Sequence, residues 1–162
     1  MACPFFMPAE KLENGLWPHP ARLPLGCGWT GRCTAPGYDG ETPSVEELHE
    51  CNLGYAESCR RLPKDRAWDS VRFFVIGGDR ATNGEHAHKI NGDCDDQKSS
   101  IQFRYVCERR HLPVEHGIVE FEMKSKRWTR CHADARVQRM AQCYLESYLE
   151  RCTHREIESA AS

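Results

Sequence analysis

The chain has 162 residues, with 22 Lys and Arg against 24 Asp and Glu for a formal net charge of −2, and it carries eight His and ten Cys. A folded chain of this length buries roughly 70% of the surface its unfolded form exposes, so it needs no disulfide staples to hold a core. The near-neutral balance excludes a nucleic-acid or membrane-surface protein held by bulk charge, and it leaves the cysteines as the feature to explain.

Met1 to Gly15 has no basic n-region, no apolar run of secretory length and two prolines, so it does not read as a signal peptide. A cytoplasmic, reducing setting with mostly free thiols is the expectation. The longest uninterrupted apolar run, Phe73 to Ile76, falls far short of the ~20 residues of a membrane-spanning helix.

Residues 1–43 are rich in Pro and Gly and nearly without hydrophobic periodicity, which predicts an irregular, Cys-containing segment. A helix is predicted over 44–60. Ser44 and Glu47 fit a capping box, and Val45, Leu48, Asn52, Tyr55, Ala56 and Cys59 fall at helical spacing, with Gly54 as the weak point. From Asp69 the period becomes two. Ser70 to Ile76, Ser99 to Glu108 and Gly117 to Met123 predict a three-stranded antiparallel sheet over 69–123, with His111 and His116 flanking the turn before the third strand. The polar, Gly-rich stretch 77–98 reads as a solvated insertion in this sheet. An apolar stripe of Val137, Met140, Ala141, Tyr144, Leu145, Tyr148 and Leu149 predicts a helix over 133–152 that covers one face of the sheet. The expected architecture is α+β, in one domain, with the amino-terminal segment wrapped around it.

The ten thiols separate by context. Cys107 alternates with Ile101, Phe103 and Tyr105 and reads as a small buried hydrophobe. Cys131, Cys143 and Cys152 read as surface or boundary thiols of the last helix, and Cys94 lies in a polar loop. Cys3, Cys33, Cys51 and Cys59 adjoin Pro, Gly or a breakable helix, where the backbone is free to aim thiolates and N–H groups at one centre. The Cys3-Pro4 step resembles the Cys-Pro end of bacterial ferredoxin motifs. Cys27, between two glycines, is a possible substitute for Cys33.

Zinc modules usually gather their thiolates from two short Cys-x2–4-Cys knuckles, and this group of four has neither. In one unbroken helix Cys51 and Cys59 would stand about 12 Å apart along the axis, too far to share an ion, so the helix has to break near Gly54. A [4Fe–4S] cluster, a larger body whose corners face four directions, suits widely spaced ligands better than zinc does. The expected function is therefore an iron–sulfur protein that serves electron transfer or redox sensing with a protein partner. The alternative is a zinc-stapled interaction module without redox activity. His86 and His88, with Asp93, Cys94, Asp95 and Asp96, form a second set of metal-ligating side chains, read here as part of the solvated insertion. The commoner nucleotide-binding and hydrolase motifs are missing, so an enzyme is not the expectation.

Overall fold

A computed structural model describes residues 1–12, 23–54, 59–76 and 99–160. Local chemistry accounts for the first helix, α1 (Val45–Leu53). The Ser44 hydroxyl accepts from the Glu47 N–H, and the Glu47 carboxylate accepts from the Ser44 N–H at 2.8 Å, closing the predicted capping box. The helix ends at Leu53 rather than at residue 60. Gly54 caps it at φ +69°, and a Cβ there would stand 1.9 Å from the Met1 carbonyl oxygen, so both the backbone conformation and the chain passing alongside require glycine.

The expectation of a single three-stranded sheet is overturned. There are two antiparallel sheets, one of two strands and one of four, with two helices, and only the broad α+β character stands. The larger sheet runs β3 (Ser70–Ile76), β4 (Ser100–Arg109), β5 (Leu112–Glu122) and β6 (Arg127–Arg130), in that order. Alternation places Val71, Phe73, Ile101, Phe103, Cys107, Val119 and Phe121 inside. β5 starts at Leu112 because Arg110 and His111, both at positive φ, make a two-residue turn that pairs Arg109 with Leu112. This turn takes in His111 and leaves His116 within the strand. The segment read as an insertion at 77–98 lies outside the described residues.

Nor is the amino-terminal segment irregular throughout. β1 (Phe6–Lys11) and β2 (Trp29–Cys33) form the second sheet, with Phe6 opposite Cys33 and Met7 opposite Arg32. Gly31 is needed there, since a Cβ would lie 2.3 Å from the Met7 carbonyl oxygen. Upstream of β1, Ala2 makes a reciprocal bridge with Val71: its N–H donates to Val71 at 2.7 Å and its carbonyl accepts at 2.9 Å. The first residues thus lie along the free edge of β3.

α2 (Ala135–Ala160) extends beyond the predicted 133–152 and is covered on two sides. Toward the larger sheet, Tyr144 meets Phe103 edge-on at 5.3 Å and stacks on Phe73 at 5.8 Å. Toward β1, Arg139 donates to the carbonyls of Pro8 and Ala9, and Lys11 pairs with Glu150. This second cover corrects the reading of Cys143 as a surface thiol, because Cys143 is fully buried. Cys152 is buried and disulfide-bonded rather than a bystander, while Cys131 is exposed, as a boundary thiol should be.

One buried amide joins α1 to the smaller sheet. Asn52 accepts from the Trp29 N–H at 2.9 Å and donates to the Trp29 carbonyl at 3.0 Å and to the Leu48 carbonyl at 2.9 Å. Asn52→Ala should cost about 2–4 kcal/mol in urea unfolding, because two backbone groups of Trp29 lose their partner in the interior. A cost below about 1 kcal/mol would show that they find another.

Burial pushes the Cys107 and Cys143 thiols up to about 12. The native state therefore keeps protons that the unfolded chain releases at about 8.5–9. The stability these thiols contribute is present below that ordinary value and is lost as pH rises toward 12. Urea midpoints followed from about pH 8 to 11 should fall less steeply in a Cys107→Ala/Cys143→Ala double variant than in wild type.

Candidate functional site

Four separate segments carry Cys3, Cys33, Cys51 and Cys59. Cys3 follows the Ala2 bridge, and its N–H donates to the Cys51 carbonyl at 2.9 Å, which fixes the amino-terminal turn against α1. Cys33 ends β2 beside the turn 35–41. Its N–H donates to the Glu41 carbonyl at 2.7 Å, and its carbonyl accepts from the Gly40 N–H at 2.8 Å. Cys59 opens a turn closed by the Leu62 N–H, which donates to the Cys59 carbonyl at 3.1 Å. Cys3 and Cys33 are buried, while Cys51 and Cys59 are half-buried.

Cys51 feels the charges of the other three. The hydrogen bond that its S–H donates to the Cys3 sulfur, then burial, then the negative charges of Cys3, Cys33 and Cys59 push the Cys51 thiol far above its ordinary range. Cys3 moves the other way. The hydrogen bond with Cys51 is the main cause, burial opposes it, and the N–H groups of Phe5 and Phe6 and the charge of Arg66 assist. Cys3 is therefore the more acidic thiol of this pair. Cys3, Cys33 and Cys59 each act on Cys51. Cys27 stands elsewhere, with its sulfur 3.1 Å from the Ser147 hydroxyl on α2 and its charge felt by Cys143.

Among the described residues, no group of three or more His, Cys, Asp or Glu side chains is arranged to hold a metal ion. A metal group bound by the four thiols would therefore have to span them or draw them inward. His86, His88 and Cys94 lie outside the described residues. No helix among the described residues is long and apolar enough to cross a membrane.

Three arginines surround the thiols, and sequence reading missed them. Arg66 lies near Cys3 and pairs with Asp69 at 2.5 Å. Arg136 lies over the Phe5 ring at 5.0 Å and feels the charge of Cys3. Arg61 is held by Glu47, with Nε and Nη2 donating at 3.0 and 2.9 Å, pairs through Nη1 with Glu41 at 3.2 Å, lies over the Tyr38 ring at 5.1 Å, and feels the charge of Cys33. Burial opposes the charge on Arg61, and Glu47 and Cys33 outweigh it. Arg60-Arg61, directly after Cys59, was the available signal.

In metal-free protein, Cys3→Ala should speed iodoacetamide labelling of Cys51 at about pH 9 by roughly tenfold or more, because the main cause of its raised pKa is gone. Peptide mass spectrometry reads this directly, and an unchanged rate would mean that the two thiols do not share a proton. Comparison with protein-family models, curated proteins and solved structures finds no significant match for this chain.

Proposed function

We propose that Cys3, Cys33, Cys51 and Cys59 hold a [4Fe–4S] cluster through which the chain exchanges single electrons with a protein partner, or reports redox state to one. The convergence of four thiols from four separate segments into one electrostatic neighbourhood carries this reading. Thiolates are the ligands of such clusters, and hydrogen bonds to their sulfurs are a usual means of tuning them. The N–H groups of Phe5 and Phe6 at Cys3 and the three nearby arginines supply that support and offset the negative charge of the thiolates. The half-buried Cys51 and Cys59 form the side from which a partner would reach the cluster. Eight of the described cysteines are free thiols and Cys152 is disulfide-bonded; the free majority is what supports a reducing compartment such as the cytoplasm, and the bond at Cys152 counts against it.

A zinc ion in the same place is the second reading, favoured by the strong mutual influence of the Cys3 and Cys51 thiols, whose segments are joined by the Cys3 N–H to Cys51 carbonyl bond. Anaerobic purification separates the two. A brown protein with about four iron atoms and matching sulfide per chain supports the cluster. A colourless protein with one zinc supports the structural module, and folded metal-free protein refutes both. Cys51→Ser and Cys59→Ser should each lose the metal and loosen residues 1–43, read as proteolysis in that segment, because ligand binding contributes to its order.

A further inference from the structure

Independently of the four cysteines, we propose that the cavity bounded by the Leu23–Gly26 turn, β3 and α2 is a binding site for a small organic anion, a carboxylate carried on an aromatic body. The cavity has a volume of about 340 Å³. That is room for about ten water molecules, too much for a lone inorganic ion and at the lower end of the range for small-molecule sites. Leu23, Phe73, Phe74 and Tyr144 supply the apolar part of the wall, with Tyr144 stacked on Phe73 at 5.8 Å. Arg72 and Arg151 supply its charge, and no acidic side chain lines it among the described residues.

The two arginines are held differently. Arg72 donates Nη2 to the buried Glu108 at 2.7 Å and lies over the Phe74 ring at 5.1 Å, which fixes its guanidinium at the wall with its charge balanced. Its Nε is buried without a hydrogen-bond partner. Arg151, exposed on α2, has no carboxylate paired with it among the described residues. The turn beside it is closed by the Gly26 N–H, which donates to the Leu23 carbonyl at 2.9 Å, and is tied to α2 by the contact between the Cys27 sulfur and the Ser147 hydroxyl at 3.1 Å. A Cβ on Gly26, at φ +81°, would stand 2.4 Å from Arg151 Nη1 and 2.5 Å from the Ser147 Cβ. The bare backbone at Gly26 is therefore what lets the Arg151 guanidinium lie against the turn at the rim of the cavity. An unpaired guanidinium beside aromatic rings, with no facing carboxylate, selects a planar organic anion: two parallel N–H bonds hold the carboxylate and the rings hold the body. A cation of the same shape would meet two like charges, and a neutral molecule would leave Arg151 without its partner.

The test is a chemical-shift titration of the full chain with 2-naphthoate and with its neutral counterpart 2-naphthamide, at about pH 7, where the naphthoate carboxylate is ionised. Naphthoate should saturate a single site with a Kd of about 1 mM or tighter, and naphthamide should bind at least about tenfold more weakly. Arg151→Gln should weaken naphthoate by about tenfold or more and leave naphthamide unchanged, while Arg104→Gln, an exposed residue of β4 that does not line the cavity, should change neither. No saturable naphthoate binding overturns the site. Equal binding of the two probes, or naphthoate binding that Arg151→Gln does not weaken, overturns the anion specificity assigned to it. Should Arg151→Gln fail to fold, intermolecular NOEs in wild type decide: contacts from the naphthoate ring protons to Phe74 and Tyr144 support the site, and contacts only elsewhere overturn it.

Discussion

Buried in α1, the Asn52 carboxamide takes both backbone groups of Trp29 and leaves neither orphaned. A side chain that satisfies the N–H and the C=O of one residue acts as a further rung on the strand, so α1 is attached to β2 almost as another strand would be. Cys51 stands next to Asn52, and Cys33 lies four residues beyond Trp29 on β2. The same joint that fixes helix to sheet therefore fixes two of the four thiols relative to each other. Without it, α1 would be a nine-residue helix with a polar surface and little reason to stay in one place.

Around this joint the site is built from charges that oppose burial. Two of the thiols are buried, and a thiolate there is costly unless cations and N–H donors meet it. The N–H groups of Phe5 and Phe6 together with Arg61, Arg66 and Arg136 meet that need from three stretches of the chain, and each arginine is itself paired with a carboxylate. The result is a nearly neutral polar knot inside a protein whose net charge is also close to zero. Each member is difficult to remove alone, since its partner would be left unpaired in a poorly solvated place.

What was legible in the sequence was local. The Ser44–Glu47 box and the alternation of β3 and β4 depend on neighbours a few residues away, and both appear as read. β1 and β2 were missed because Pro8 and Gly31 look like breakers, whereas Pro8 lies in a strand of a two-stranded ribbon and Gly31 makes room for the facing backbone. β6, Arg-Trp-Thr-Arg, presents only Trp128 inward and offers no pattern to find. Cys143 was misjudged because its cover is the second sheet, which a one-sheet reading could not supply. Cys3, Cys33, Cys51 and Cys59 were singled out by their Pro and Gly neighbours, a local signal that speaks to backbone freedom and not to what the thiols bind. The arginines were not, because an Arg that points inward and one that points to water look alike in a sequence.

The bridge between Ala2 and Val71 has a consequence for the order of events during synthesis. The amino terminus emerges first, yet its bridging partner lies in β3 and its other anchor is the Cys51 carbonyl. The loop that holds Cys3 can close only after Val71 has left the ribosome. Closure at such separation is slow compared with the forming of α1 or of the β4–β5 hairpin. The amino-terminal turn therefore docks only once β3 is there to receive it.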